Sequence, residues 1–183
     1  MKSIRAALLV GLCVGSSGCY DFDFPLDPTP EVSIDVRLVG AWRCLGVRAD
    51  ADEPAFVLRI TPRTDKIADW ALESTMADGS KETEHLDVHG STVKGGDLLN
   101  VLEKGEKANG KWNIVQYSFL LPDVLRLQAV DDTSFEKAKT SSAALRKAIE
   151  NRRGDPSIYN AFAVCVRAKV SPPEAVPTSS PKD

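Results

Sequence analysis

The chain has 183 residues, 43% of them hydrophobic, with 26 acids against 23 bases and a formal net charge of −3. That length suits one ordinary domain with a real core, and a binder of nucleic acid should be basic, so that class is excluded. No run of about twenty apolar residues is present to cross a bilayer as a helix.

In chain order, Lys2 and Arg5 come first, then the apolar run "AALLVGLCV", then Ser16, Ser17 and Gly18 directly before Cys19. A charged start, an apolar centre of about 7–15 residues and a small-residue exit describe an export signal over 1–18. The arrangement resembles the lipobox of bacterial lipoproteins, with Ser16 where that family usually has Leu. The resemblance implies a diacylglyceryl thioether on Cys19, which becomes the new N-terminus and ties the protein to a membrane through its acyl chains. In enteric lipoproteins an Asp beside the acylated cysteine holds the protein at the inner membrane; Tyr20 stands there here, which implies the outer membrane of the cell envelope. Ordinary secretion with cleavage after Gly18 is the alternative reading.

Residues 19–36 are acidic and Pro-rich, with five acids and no base. Such a stretch cannot bury enough apolar surface to fold alone, and its prolines keep it extended, so a tether is expected. The tail at 171–183 is again polar and Pro-rich and is expected to be disordered, leaving a domain over 37–170. Loss of Lys2 and Arg5 with the leader leaves 21 bases against 26 acids, a net of −5.

Cys13 departs with the signal and Cys19 is the lipidation site, so Cys44 and Cys165 remain as an even pair. In an oxidising compartment a matched pair is most simply a disulfide; two free buried thiols are the alternative. Neither a CxxC motif nor a zinc-type set of cysteines and histidines occurs, and no cofactor or metal is implied.

Eight segments are β-branched or alternate in polarity: 38–47, 54–62, 66–75, 83–94, 97–103, 111–120, 124–130 and 162–170. Their connections, among them "RTD", "ADGS", "KGG" and "LPD", are short and carry the Gly, Pro, Asp and Asn that hairpins require. The expectation is a mainly β fold: a single antiparallel, eight-stranded, barrel-like domain, since closure removes exposed strand edges. Trp70, Trp112, Phe56, Ile60, Ile114, Leu125 and Leu127 are the expected core.

A helical insertion interrupts the pattern before the last strand. Over 141–153 a serine cap precedes Leu145, Ala148 and Ile149 on one face, and Arg152, Arg153 and Gly154 form the ending. A second short helix is expected over 156–161, with Asp155 as cap and Pro156 in its first turn. Arg146, Lys147, Arg152 and Arg153 make this insertion locally basic, a candidate docking face for an envelope protein partner or anionic headgroups. A solvated helix face is the plainer reading.

Pairing Cys44 with Cys165 on neighbouring antiparallel strands also sets Trp42 opposite Arg167 and Leu45 opposite Val164. Alternation puts Trp42, Cys44, Cys165 and Arg167 on one face, with the guanidinium over the indole. "GAW" at 40–42 is similar to the Gly-x-Trp signature of lipocalins and other calycin barrels, where such a tryptophan packs against an arginine from late in the chain. That resemblance implies the barrel-closing pair Trp42 and Arg167. The chain lacks the long apolar ligand-lining loops of that family. The domain further resembles uncharacterised envelope lipoproteins with a "GxWRC" start and an "FxVCVR"-like end, a likeness that names no activity.

Candidate chemistry is sparse. "HLDVH" places His85, Asp87 and His89 on one face of a strand, but the two histidines lie about 13 Å apart at roughly 3.3 Å per residue, so one ion cannot use both. The wet outer face of a half-buried strand is the simpler reading. No Gly-x-Ser-x-Gly occurs, Asp131-Asp132 reads as a turn, and Gly95-Gly96 lacks the Gly-Lys-Ser/Thr of a phosphate loop. An enzyme is therefore not expected. Two classes stand: a structural or protein-interaction lipoprotein, and a module holding a small apolar ligand inside its barrel.

Overall fold

The computed structural model describes residues 21–46, 55–76, 78–93, 96–104 and 110–168. The expected leader at 1–18, the expected lipidation site Cys19 and the tail at 171–183 lie outside them. Eight strands, β1 (Gly40–Gly46), β2 (Phe56–Pro62), β3 (Ile67–Thr75), β4 (Lys81–Val93), β5 (Gly96–Glu103), β6 (Trp112–Leu121), β7 (Val124–Val130) and β8 (Tyr159–Arg167), pair in sequence order. β8 returns to β1, so the antiparallel sheet closes into a barrel and leaves no edge. Between β7 and β8 lie a 3₁₀ stretch, Asp132–Ala138, the helix α1 (Ser142–Arg152) and a 3₁₀ turn, Pro156–Ile158.

Alternation along each strand sorts the apolar residues onto two sides. The inward set includes Trp42, Leu58, Trp70, Leu86, Leu99 and Leu127 and fills the barrel. The outward set on β5 and β6, Leu98 and Ile114, belongs to a second core with Val93, Phe135, Leu145 and Ile149. Here α1 lies on the outer wall, which is why "LLNVL" on β5 has both faces buried. Trp112 and Ile114, expected in the core, belong to this second core outside the barrel, because even-numbered positions of β6 face outward.

α1 begins where Ser141 Oγ accepts the Ala144 N–H at 3.2 Å. Leu145 and Ile149, four residues apart, are its buried face. The second helix expected over 156–161 is shorter. Only Pro156–Ile158 is helical, and β8 begins at Tyr159 because Tyr159, Asn160 and Ala161 already pair with β7. Asp131, expected in a plain turn, caps the 3₁₀ stretch by accepting the Thr133 N–H.

Residues 21–36 are not a free tether. Phe22 and Trp112 exchange two backbone hydrogen bonds of 2.8 Å, and Val32 bridges Gly90. Phe22 and Leu26 enter the outer core, while Ile34, with Leu38, plugs one end of the barrel. Low apolar content prevents such a segment from folding alone, but three spaced apolar side chains suffice to dock it on a surface already formed. Burial of Phe22 and Leu26 is worth about 1.5–3 kcal/mol each.

Candidate functional site

Three features concentrate the chemistry of the described residues: the closed end of the barrel, the strap at 21–36, and the basic helix.

At the closed end, Trp42 faces Arg167 and Cys44 faces Cys165 across β1 and β8. The cysteines form a disulfide joining residues 121 positions apart. Trp42 is 0% exposed, and its indole N–H donates to the Leu38 carbonyl at 2.8 Å. The Arg167 guanidinium lies 4.2 Å from the Trp42 ring centroid. It donates to the carbonyls of Val39 at 3.0 Å and Arg37 at 2.6 Å, and Nε reaches Asp123 at 3.2 Å. One planar fork thus ties the last strand to the segment entering the first, a geometry that lysine cannot reproduce.

Beside that end, a cavity of about 140 Å³ opens under the strap, lined by Ile34, Asp35, Ser91, Asp97, Leu99 and Tyr117 among others. Arg37 holds Asp35 through paired hydrogen bonds and lies 4.5 Å over the Phe119 ring. Burial, with the negative charges of Asp97 and Asp35, pushes the Tyr117 phenol upward, so it stays neutral. The cavity is small beside the roughly 300–1,000 Å³ of ligand pockets, and its lining mixes polar and apolar groups.

A polar network latches the strap. Asn100, fully buried on the outer face of β5, accepts the Leu26 N–H at 2.6 Å and donates to Ser91 Oγ at 2.7 Å. Ser91 Oγ donates to Asp27 Oδ2 at 2.6 Å, and Asp27 Oδ1 pairs with Arg146. His89 Nε2 donates to the Asp27 carbonyl at 2.9 Å, and its ring meets Trp112 edge to face at 5.4 Å. Burial lowers the His89 pKa against the opposing pull of Asp27, so the imidazole is neutral.

"HLDVH" is therefore not one wet face. His85 is exposed, Asp87 pairs with Arg63 and Lys104, and His89 is covered by the strap. Strand periodicity orients a residue outward, but whether another segment lies over it is a tertiary matter. Among the described residues no group of three or more His, Cys, Asp or Glu side chains is placed to hold a metal ion.

The four cations offered as one docking face are divided. Arg146 binds Asp27 and donates to the Thr92 carbonyl at 2.9 Å; Arg152 binds Asp155 and the Ser134 carbonyl; Arg153 donates to the Val93 carbonyl. Lys147 alone of the four is exposed. The arginines flank the buried Leu145–Ile149 face; Arg146 and Arg153 donate to carbonyls of β4 and Arg152 to one of the 3₁₀ stretch. The cluster is internal mortar more than an outward patch.

Apolar side chains are instead exposed on the wall formed by β1, β8 and the end of β6, where Leu45, Val166 and Leu121 are 61%, 50% and 63% exposed. Among the described residues no helix is long and apolar enough to cross a membrane. No family model, curated protein or solved structure matches the chain.

Proposed function

We propose that this chain is a lipid-anchored lipoprotein of the bacterial cell envelope, held at the outer membrane through Cys19, with a structural or protein-interaction role and no catalysis of its own. The observation that carries the reading is a barrel filled by its own side chains. Trp42, Leu58, Trp70, Leu86 and Leu127 occupy the interior, and a disulfide fastens the closing strands. A body built this way offers a rigid surface in place of an internal compartment, and its disulfide suits an oxidising space. Solvent-facing Leu45, Leu121 and Val166 are the kind of surface that gains from contact with a partner.

The docked strap changes what anchoring means. Cys19 precedes Phe22 by three residues, about 11 Å of chain at most, and Phe22 is fixed to Trp112. Acylation at Cys19 would seat the Trp112 end of the barrel on the bilayer surface, with no loose spacer between. The second class, a small apolar ligand inside the barrel, has little support, since the interior is occupied and the cavity under the strap is small.

Intact mass of the protein recovered from membranes, with and without reductant, tests the anchor and the disulfide together. Acyl chains on an N-terminal Cys19 and a mass gain of two hydrogens on reduction are expected. A leader still attached, or a cytosolic protein with free thiols, would overturn the proposal. Native mass spectrometry that finds a stoichiometric lipophilic molecule would restore the second class.

A further inference from the structure

At the end of the barrel opposite Arg167, the inward-facing positions change character. β4 turns Glu82 and Glu84 inward, two and four residues before the buried Leu86, and β5 turns Glu103 inward opposite Leu86. Glu82 pairs with Ser74 and Glu84 with Leu72 across β3, so these carboxylates share one inner rim. Asn113 on β6 faces inward opposite Val101, one inward step from Glu103 on the same strand. It is only 7% exposed, and its Oδ1 is buried without a hydrogen-bond donor. On β2 and β8 at the same end, the tilted rings of Phe56 and Phe162 meet with centroids 6.1 Å apart.

Among the described residues the rim is thus a row of acceptors without ion-pair partners. Lys81 and Lys104 fall on outward positions by alternation, Lys104 is taken by Asp69 and Asp87, and Lys111, two residues before Asn113, binds Asp23. None of Glu82, Glu84 and Glu103 belongs to an ion pair with another described residue. An orphaned buried carbonyl oxygen calls for a donor, and clustered carboxylates call for positive charge. Burial, and after it the charges of Glu103 and Glu82, push the Glu84 carboxyl up to about 7.

The chemistry selects among cations. The carboxylates are spread along two strands, and among the described residues no three are placed around one metal ion. Glu82 and Glu84 are separated by about 6.6 Å of strand, and Glu84 and Glu103 are diagonal neighbours across β4 and β5. Ammonium groups spaced along a methylene chain match that pattern, and the methylenes would lie on Phe56, Leu72 and Phe162. We propose that this rim binds a linear aliphatic polyamine, with Glu82, Glu84 and Glu103 each taking an ammonium group and Asn113 Oδ1 accepting one of its N–H bonds.

The full chain is titrated with spermidine by calorimetry at pH 7, in two buffers of different ionisation enthalpy. Saturable binding at one site per chain is expected, weakening with salt and releasing part of a proton as Glu84 ionises beside the ammonium. Glu84→Gln keeps the shape of the side chain, should leave the fold intact by circular dichroism, and should abolish the proton release. Glu84→Gln and Glu103→Gln should each lower affinity about tenfold or more, the loss expected for a charge-assisted hydrogen bond. Absence of saturable binding would overturn the assignment. So would binding that both variants leave unchanged, or tighter binding of calcium than of spermidine at the same carboxylates.

Discussion

A β-carbon added at Gly40 would lie 3.2 Å from Nη1 of Arg167. The first residue of the barrel is thus shaped around a side chain near its last, and the contact is held by hydrogen bonds from the same guanidinium to Arg37 and Val39. Gly40 also sits at φ 124°, a region that side chains rarely adopt. Gly40→Ala should destabilise the protein by about 1–2 kcal/mol from the backbone alone. Arg167→Lys should cost about 1–3 kcal/mol, because a point charge cannot serve both carbonyls and the indole face. Urea unfolding of the two variants checks both values; a neutral Arg167→Lys would show that the fork is ornamental.

The Cys44–Cys165 bridge closes a loop 121 residues in span. A link of that length removes roughly 4–5 kcal/mol of chain entropy from the unfolded state, with measured values commonly about 2–5. Cys44→Ala with Cys165→Ala should fall in that range by urea unfolding, matching the wild type under reductant. Equal stability with and without reductant would contradict it.

Asp27 ties the strap to Ser91 and Arg146, and its carbonyl accepts from His89. Asp27→Ala should expose residues 21–36 to protease while the barrel stays folded, at a cost of about 1–3 kcal/mol. His89 adds a pH dependence of definite sign. Its folded pKa lies below the ordinary 6.5, so below that pH the unfolded chain takes up a proton first and stability falls. Above 6.5 the contribution is complete. His89→Gln should remove that slope between pH 7 and 5 in thermal melts, and parallel losses in both proteins would assign it elsewhere.

Glu84 acts in the opposite direction. Its carboxyl is raised from 4.5 to about 7 in the fold, so the folded state holds a proton that the unfolded state has lost between those values. Its contribution to stability therefore declines as pH rises through that window and is least favourable above about 7. Because the group is partly solvated, the cost at pH 8 is on the order of 1–2 kcal/mol. Glu84→Gln should stabilise the protein at pH 8 and do little at pH 4. The difference in melting temperature across that range is the measurement.

If Cys19 carries the anchor, Trp112 lies close to lipid while Trp42 and Trp70 stay inside the barrel. Protein coupled to a lipid through Cys19 and placed on vesicles with brominated acyl chains should lose part of its fluorescence. Trp112→Phe should abolish that loss. Quenching that persists in the variant would rule out the proposed seating.

Much of the barrel was legible in the chain because strand periodicity and turn chemistry are local. Eight alternating segments with short polar connections leave few arrangements other than a meander, and pairing the two cysteines brings Trp42 onto Arg167 without further assumption. The helix was equally plain, since Ser141, Leu145 and Ile149 carry cap and face within nine residues. What alternation cannot reveal is which outward face another segment will cover. Trp112 and Ile114 read as core and His89 as an outer-face residue, and only the closed barrel shows that a strap and a helix lie over them.

The order of strands, the cap of the helix and the choice of cysteines followed from neighbours in the chain, where sterics and hydrogen-bonding rules act over a few residues. The docking of 21–36, the diversion of Arg146, Arg152 and Arg153 from a docking face to internal bonds, and the gathering of Glu82, Glu84 and Glu103 at one rim followed only from closure. Closure decides them because burial and charge pairing depend on distance in space, and the partners here stand tens of residues apart in the chain.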